Sequence, residues 1–376
     1  MKIVIAPDSY KGSLSAKEVG LTIQEAFQLE MPNASIQVIP MADGGEGTLE
    51  TLLFSTKGTK VATTATGPLG DAVATSYGIL GDGETAVIEM ALIAGLPMVP
   101  ENKRNPFLTT TFGVGELIRE AVDTGLRKFI IGLGGSATND GGLGMLQALG
   151  ATFHNQEGKP VLPVGASLGQ IAQVDFTTLH PKLKACHFTV ASDVKNPLCG
   201  SNGASFIYGP QKGATQQQVF LLDKGMRNFA DVVEQHLQKK MQQVPGAGAA
   251  GGLGFAFLTL GATIEPGAQI IANATGLENS ISNADWVVTG EGQSDYQTLF
   301  GKLPFFIAAL ARKNDIKTIL VSGALGKGHE QLLDHFFSCH AIANAPATLA
   351  EAMAMTKVNL HFCSRNIARL ISLKSQ

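Results

Sequence analysis

Six short apolar runs in this chain each open into a segment rich in Gly, Ser, Lys and Asp: KIVIA into PDSYKGS, IQVIP into MADGGEG, KFIIG into LGGSATNDGG, HFTVA into SDVKNPL, DWVVT into GEGQSD and TILVS into GALGKG. These segments and their neighbours offer acids (Asp8, Asp43, Glu46, Asp140, Asp193, Glu291, Asp295), lysines (Lys11, Lys195, Lys212, Lys302) and backbone amides without bulky side chains in front of them. The longest, within KFIIGLGGSATNDGGLGMLQALG (128–150), is a glycine loop between a β-like run and a helix-like continuation, an arrangement suited to an anion such as phosphate. Phosphoryl transfer asks for this set: amides and lysines to cradle phosphates, carboxylates to hold Mg²⁺, and one carboxylate to take the proton of the attacking hydroxyl. Hydrolysis through a Ser or Cys nucleophile fits less well, because there is no GxSxG elbow and none of the eight histidines falls in the six loops.

These loops need strands to carry them. Val/Ile-rich runs at KIVIA, IQVIP, AVIEM, KFIIG, HFTVA, DWVVTG and TILVSG alternate with helix-period segments at 15–29, 108–124, 215–240, 303–313 and 349–370. That alternation predicts an α/β fold with largely parallel sheets. In the third helix Val219, Leu222, Met226, Phe229, Val233 and Leu237 fall on one face and are expected in the core. Residues 61–90 differ: three short strands joined by Gly-rich turns leave no room for crossover helices, so a local antiparallel element is expected. The resulting architecture is a discontinuous Rossmann-like domain of residues 1–60 and 280–376, with a mixed α/β domain of residues 61–279 inserted. Ligands of open α/β sheets bind beyond the carboxyl ends of the strands, so the active site is expected in the cleft between the domains.

Composition excludes several classes. With 376 residues, 44% of them apolar, the chain can bury large cores and is not disordered. The formal charge is −3 and the 28 basic residues are scattered, which argues against nucleic acid or an anionic membrane as partner. Four dispersed cysteines without metal-ligand spacing are expected to be reduced thiols, and the five-residue apolar start is too short for a signal peptide. The expected compartment is the cytoplasm. AGGLGFAFLTLGATI, at about 15 residues, falls short of the roughly 20 of a membrane helix. A homo-oligomer is compatible with the sequence, which does not specify one.

Each candidate also has a purely structural use. Asp43 is placed to cap a helix over 47–55, Ser15 and Glu18 form a capping-box pattern, and the glycines of 246–254 serve close helix packing as readily as phosphate binding. His180 and His187 have no metal partner at useful spacing. GLGGSA matches the dinucleotide fingerprint GxGxxA formally, but the acid expected about 20 residues later is missing, and no GxxxxGK[ST] is present. The residues alone therefore lead to a two-domain α/β kinase without naming its substrate; an NAD-dependent oxidoreductase and a non-catalytic two-domain binding protein are the alternatives.

The blocks MKIVIAPDSYKGSLSA, MADGGEGT, TGPLGD, GLGGSATNDGGLGMLQALGA, SDVKNPL, GASFIYGPQKGA, VPGAGAAGGLG and VVTGEGQSDYQTLFGKLP, in this order from Met1 to about Leu370, resemble those of the bacterial type I glycerate kinases. The resemblance implies ATP-dependent phosphorylation of D-glycerate at the 2-hydroxyl, with Mg²⁺ accompanying ATP. It further implies that Gly134, Gly135, Ser136, Ala137, Thr138 and Asn139 cradle nucleotide phosphates, and that Lys11, Ser13, Asp43 and Lys212 bind substrate, with Lys11 and Lys212 neutralising phosphate or the glycerate carboxylate. Asp193 and Asp295 are the implied residues for activating the hydroxyl or positioning Mg²⁺. The chain departs from the family pattern in one place, reading GEGQSD where members read GEGRID or GEGRLD. Losing that arginine as a bidentate partner costs on the order of 1.5 to 3 kcal/mol if it meets a carboxylate or phosphate, which leaves a related small hydroxy acid as an alternative substrate.

Overall fold

The computed structural model describes residues 1–372. The chain forms two compact units, one of residues 1–43, 50–56 and those from 268 onward, the other of residues 44–49 and 57–267.

The first unit is built on five parallel strands in the spatial order Ser338–Ala341, Lys317–Ser322, Trp286–Thr289, Lys2–Ile5, Ser35–Val38. The chain leaves Lys2–Ile5 for the edge strand on one side, then adds every later strand on the other. This reversal parts the loops that follow Lys2–Ile5 and Trp286–Thr289, making their carboxyl ends the switch point of the sheet. Ile3, Val4, Ile5, Val287, Val288, Ile319, Leu320 and Val321 are buried, as strands covered on both faces require. Helix Ala16–Glu30 begins with the expected capping box, Ser15 N donating to the Glu18 carboxylate at 2.8 Å and Glu18 N to Ser15 Oγ at 3.3 Å. Its far end holds Glu30, which accepts from Arg365 and Arg369 of the final helix. The helix expected over 349–370 is two, Leu349–Ala354 and Thr356–Ser372, with a break at Met355. Near that break the Met353 carbonyl also accepts from Ser13 Oγ at 2.9 Å.

The second unit carries a six-stranded sheet, in order Thr263–Glu265, His187–Ala191, Lys128–Gly132, Thr85–Glu89, Ala72–Ile79, Thr59–Thr66. The first four are parallel, and the last three, Thr85–Glu89 included, are joined antiparallel, as expected for the three strands over 61–90. Helix Gln216–Leu237 lays Val219, Leu222, Met226, Phe229 and Val233 into the core, where Phe229 meets Phe153 and Phe255. The helix expected from Leu108 starts at Phe112, because Thr109 and Thr111 are drawn into hydrogen bonds with the glycine loop and Thr110 N bonds Pro68 O. Within these two sheets the short strands Thr263–Glu265 and Ser338–Ala341 were not foreseen, and neither were the small pairs Thr152–His154 with Gln173–Asp175 and Gln293–Ser294 with Ala324–Leu325; none has a sustained apolar run. Among the described residues no helix is long and apolar enough to cross a membrane.

At the switch point of the first unit backbone lies on backbone. A Cβ added at Gly290 would run into the Val321 carbonyl oxygen, which also accepts from Tyr10 Oη at 2.7 Å. Gly290→Ala is therefore expected to lower unfolding stability in urea by about 2 to 3 kcal/mol, the cost of overpacking a site that cannot give; a loss below about 0.5 kcal/mol would show that the strands part easily there.

Candidate active site

In the second unit the strand register pairs Glu89 with Gly132 and Gly132 with Ala191, so three parallel strands end level and their loops leave the sheet side by side. The segment from Gly44 to Leu49 folds onto this edge. Gly134 N donates to Gly44 O at 3.1 Å, a Cβ on Gly134 would strike Gly45 Cα, and one on Gly44 would lie 2.6 Å from the Ala191 carbonyl oxygen. Only bare backbone fits at this approach. Helix Thr48–Thr56 then begins against Glu89, whose buried carboxylate accepts from Gly47 N at 3.1 Å and Leu49 N at 2.9 Å. These bonds satisfy amides at the helix start, a service the sequence suggested for Asp43.

The glycine loop is tied from several directions. Leu96 N donates to Gly135 O at 2.8 Å, Ala137 N to Ala94 O at 2.9 Å, and Thr109 Oγ1 to Ala137 O at 3.3 Å. From beneath, Lys212 Nζ donates to Ser136 Oγ at 2.7 Å and Thr138 O at 2.6 Å. Lys212 is only 2% exposed, and burial brings its pKa down to about 7 against the opposing pull of Asp140. Asn139 Nδ2 donates to Ser205 Oγ at 2.9 Å. Asp140 accepts from Thr111 N at 2.8 Å, Thr111 Oγ1 at 2.7 Å, Gly142 N at 3.2 Å and Gly144 N at 3.3 Å; burial raises its pKa, and these bonds counter the rise. Of the six predicted cradle residues, Thr138 and Asn139 are fully buried, Ser136 and Ala137 nearly so, and Gly134 and Gly135 reach the surface. The open face of the loop is thus main chain, and the buried side chains hold its shape.

The glycines of 246–254 take the packing role. A Cβ at Gly251 would strike the Thr138 carbonyl, one at Gly248 the Pro197 carbonyl and one at Gly254 the Gly246 carbonyl. Asp193 lies two residues beyond Ala191, is exposed, and accepts from Gly267 N at 3.2 Å.

In the first unit Asp8 follows the central strand at the switch point. Its backbone N donates to Gly290 O at 2.9 Å and its carboxylate accepts from Ser9 N at 2.6 Å. Burial, and after it the charge of Asp43, push this carboxyl up to about 7; Glu291 adds to the rise, while the Ser9 bond and Lys11 oppose it. Glu291 is itself buried, accepting from Ser294 Oγ at 2.9 Å and Thr298 Oγ1 at 2.8 Å and pairing with Lys302 Nζ at 3.5 Å. The departure from the family pattern has a physical role here: Ser294 is fully buried and also shares a hydrogen bond with Ser322 Oγ at 2.7 Å, whereas Gln293 is exposed. Asp295 accepts from Gln297 N at 2.8 Å and caps the short helix Tyr296–Phe300. Lys11 is exposed and Ser13 is bonded to Met353 O.

A family model described as the glycerate kinase family matches residues 3–372. The chain belongs to the glycerate kinase family. It is 45% identical to a glycerate 2-kinase of Escherichia coli K12, over 99% of this chain and 98% of that one, and 43% identical to a glycerate kinase of Haemophilus influenzae over the full length of both. A crystal structure of a Salmonella typhimurium LT2 protein provisionally named glycerate kinase 2 superposes with a TM-score of 0.91 at 42% identity, covering 100% of this chain and 99% of that one. Membership in this family leaves no place for the oxidoreductase reading of GLGGSA.

Sequence reasoning passed over Glu89 and gave Asp8 no distinct role. The only trace of Glu89 was a lone acid at the end of the apolar run AVIEM. The burial of Lys212 yields a prediction of definite sign. Its folded pKa lies below the unfolded value of about 10.4, so its contribution to stability is present above that value and is lost as pH falls towards 7. The stability of wild type relative to Lys212→Met should therefore increase between pH 7 and pH 10, by at most about 1.4 kcal/mol per pH unit. A difference that stays flat over that range would show that the ammonium remains charged in the fold.

Proposed function

We propose that this chain transfers the γ-phosphoryl group of ATP to the 2-hydroxyl of D-glycerate, giving 2-phosphoglycerate and ADP in the cytoplasm. The observation that carries the reading is the glycine loop: a main-chain face at Gly134–Ser136, buttressed by Lys212 and Asp140, in a chain of the glycerate kinase family. Backbone N–H groups held in advance stabilise phosphate charge without reorganising during transfer. The name of the Escherichia coli relative favours the 2-hydroxyl.

We assign proton removal to Asp8. A carboxylate with a pKa near the working pH serves best as a base, and Asp8 is held there by its surroundings, whereas Asp295 is engaged in capping. The substrate proton passes to Asp8, a bond forms from the 2-oxygen to the γ-phosphorus, and the β–γ bridging bond breaks to release ADP. Lys11, exposed near Asp8, is assigned to the glycerate carboxylate. Among the described residues no group of three or more His, Cys, Asp or Glu forms a metal cage. That donor set fits an Mg²⁺ that arrives on ATP and takes most of its ligands from phosphate and water, with the exposed Asp193 as a carboxylate donor. Bound there, the ion would neutralise phosphate charge.

The product identifies the reaction. ³¹P NMR after incubation with ATP, Mg²⁺ and D-glycerate is expected to show 2-phosphoglycerate; the 3-phosphate would move the hydroxyl, and no new ester would sink the assignment. Asp8→Asn is expected to lower kcat by about 10²- to 10⁴-fold, and wild-type activity should decline as pH falls below about 7. Because the folded pKa of Asp8 is raised, its contribution to stability is present below its unfolded pKa and lost as pH rises through 7. The same variant should accordingly be more stable than wild type at pH 8, by an amount on the order of 2 to 4 kcal/mol at most. An inactive variant that is also less stable would point to a structural role.

A further inference from the structure

The glycine loop has a cation beneath it, but that cation is spent. Lys212 Nζ is directed into Ser136 Oγ and Thr138 O and is sealed from solvent. A second cation hangs from the strap that wraps the same loop. The strap leaves the loop where Leu96 N bonds Gly135 O and Gly95 bridges Ser136, and it returns where Thr109 Oγ1 bonds Ala137 O and Thr111 bonds Asp140. Between these ties sits Arg104. Its main chain packs on Gly213, the residue after Lys212, so closely that a Cβ on Gly213 would lie 2.8 Å from Arg104 Cβ. Gly213 holds φ at +93°, a conformation that bare backbone adopts readily. The next residue, Asn105, accepts from Gln218 Nε2 at 3.4 Å, at the capped start of helix Gln216–Leu237. Arg104 is thus fixed at its base by the segment that carries Lys212.

Its Nε is not satisfied. Arg104 is half-buried, and its Nε is shut off from solvent with no acceptor. The other half-buried arginines are provided for: Arg127 donates to Val122 O and Leu126 O, and Arg365 pairs with Glu30 at 2.6 Å. Among the described residues no carboxylate pairs with Arg104. A desolvated guanidinium N–H without an acceptor is costly, and a planar fork of donors matches a phosphate group.

We propose that Arg104 binds a phosphate of the nucleotide at the Gly134–Ser136 loop, supplying the positive charge that Lys212 withholds. This rests on the reading of that loop as the phosphate cradle.

ADP affinity, measured by isothermal titration calorimetry in the presence of Mg²⁺, tests it on the full chain. Arg104→Gln is expected to weaken ADP about 10- to 100-fold and Arg104→Lys to recover part of the loss, with the glycerate KM at saturating ATP changed by less than about threefold. Unchanged ADP affinity in a folded Arg104→Gln protein overturns the proposal. So does a tenfold rise in glycerate KM with ADP affinity intact, which would give the guanidinium to the substrate carboxylate. If the glutamine variant does not fold, Arg104→Lys decides alone: its fork is lost while its charge is kept, so ADP affinity equal to wild type contradicts the proposal. Gly135→Val separates the two readings, since Gly135 holds φ at +76° and a β-branched residue would distort the loop. If that variant binds ADP normally the cradle itself is wrong; if it binds weakly while Arg104→Gln binds normally, only the role of Arg104 falls.

Discussion

Burying an ammonium group is expensive, and the second unit bears that cost at Lys212 to hold one loop in one shape. The two acceptors of Lys212, Ser136 Oγ and Thr138 O, stand on either side of Ala137, so a single cation fixes the turn of the chain there. Two residues later the Asp140 carboxylate accepts four hydrogen bonds, from Thr111 N and Oγ1, Gly142 N and Gly144 N. Interiors of low dielectric strengthen such bonds when they are all made and penalise them when any is missing. The buried side chains of Lys212 and Asp140 thus serve the loop's backbone. The bare approach of Gly44 and Gly45 leaves no space for it to fold inward.

The first unit solves a different problem. Its strand order concentrates loop ends between Lys2–Ile5 and Trp286–Thr289, and two acids, Asp8 and Glu291, follow those strands. Their environments differ. Glu291 receives two hydroxyls and a lysine, whereas Asp8 receives one backbone amide and the repulsion of its neighbours, which with burial raises its pKa. The serine at 294 belongs to this division, since it feeds Glu291 from a fully buried position.

Much of this was legible in the chain. Strands with sustained Val/Ile runs were found, because burial on both faces leaves an apolar signature that survives without context. The antiparallel element over 61–90 was readable from spacing alone. Thr263–Glu265 and Ser338–Ala341 were missed because three- and four-residue strands take their stability from neighbours already in place. The glycine loop could be located, but its facing could not: nothing in GGSATN says that Thr138 and Asn139 turn inward while Gly134 and Gly135 stay open. Glu89 and Arg104 escaped for a related reason. Their significance lies in what they touch, or fail to touch, across 40 residues of chain or more, and local pattern carries no such information.

The central claim is that the main chain of Gly134–Ser136 receives the nucleotide phosphates. Hydrogen–deuterium exchange of the peptide spanning Leu133–Asn139, with and without saturating ADP and Mg²⁺, tests it most directly. Slower exchange is predicted at the amides of Gly135 and Ser136 once ADP is bound, with Gly134 little changed because it already donates to Gly44 O, and Thr138 and Asn139 little changed because they are buried beforehand. Saturation with ADP that leaves the Gly135 and Ser136 amides exchanging as before, while protecting another segment, would contradict it.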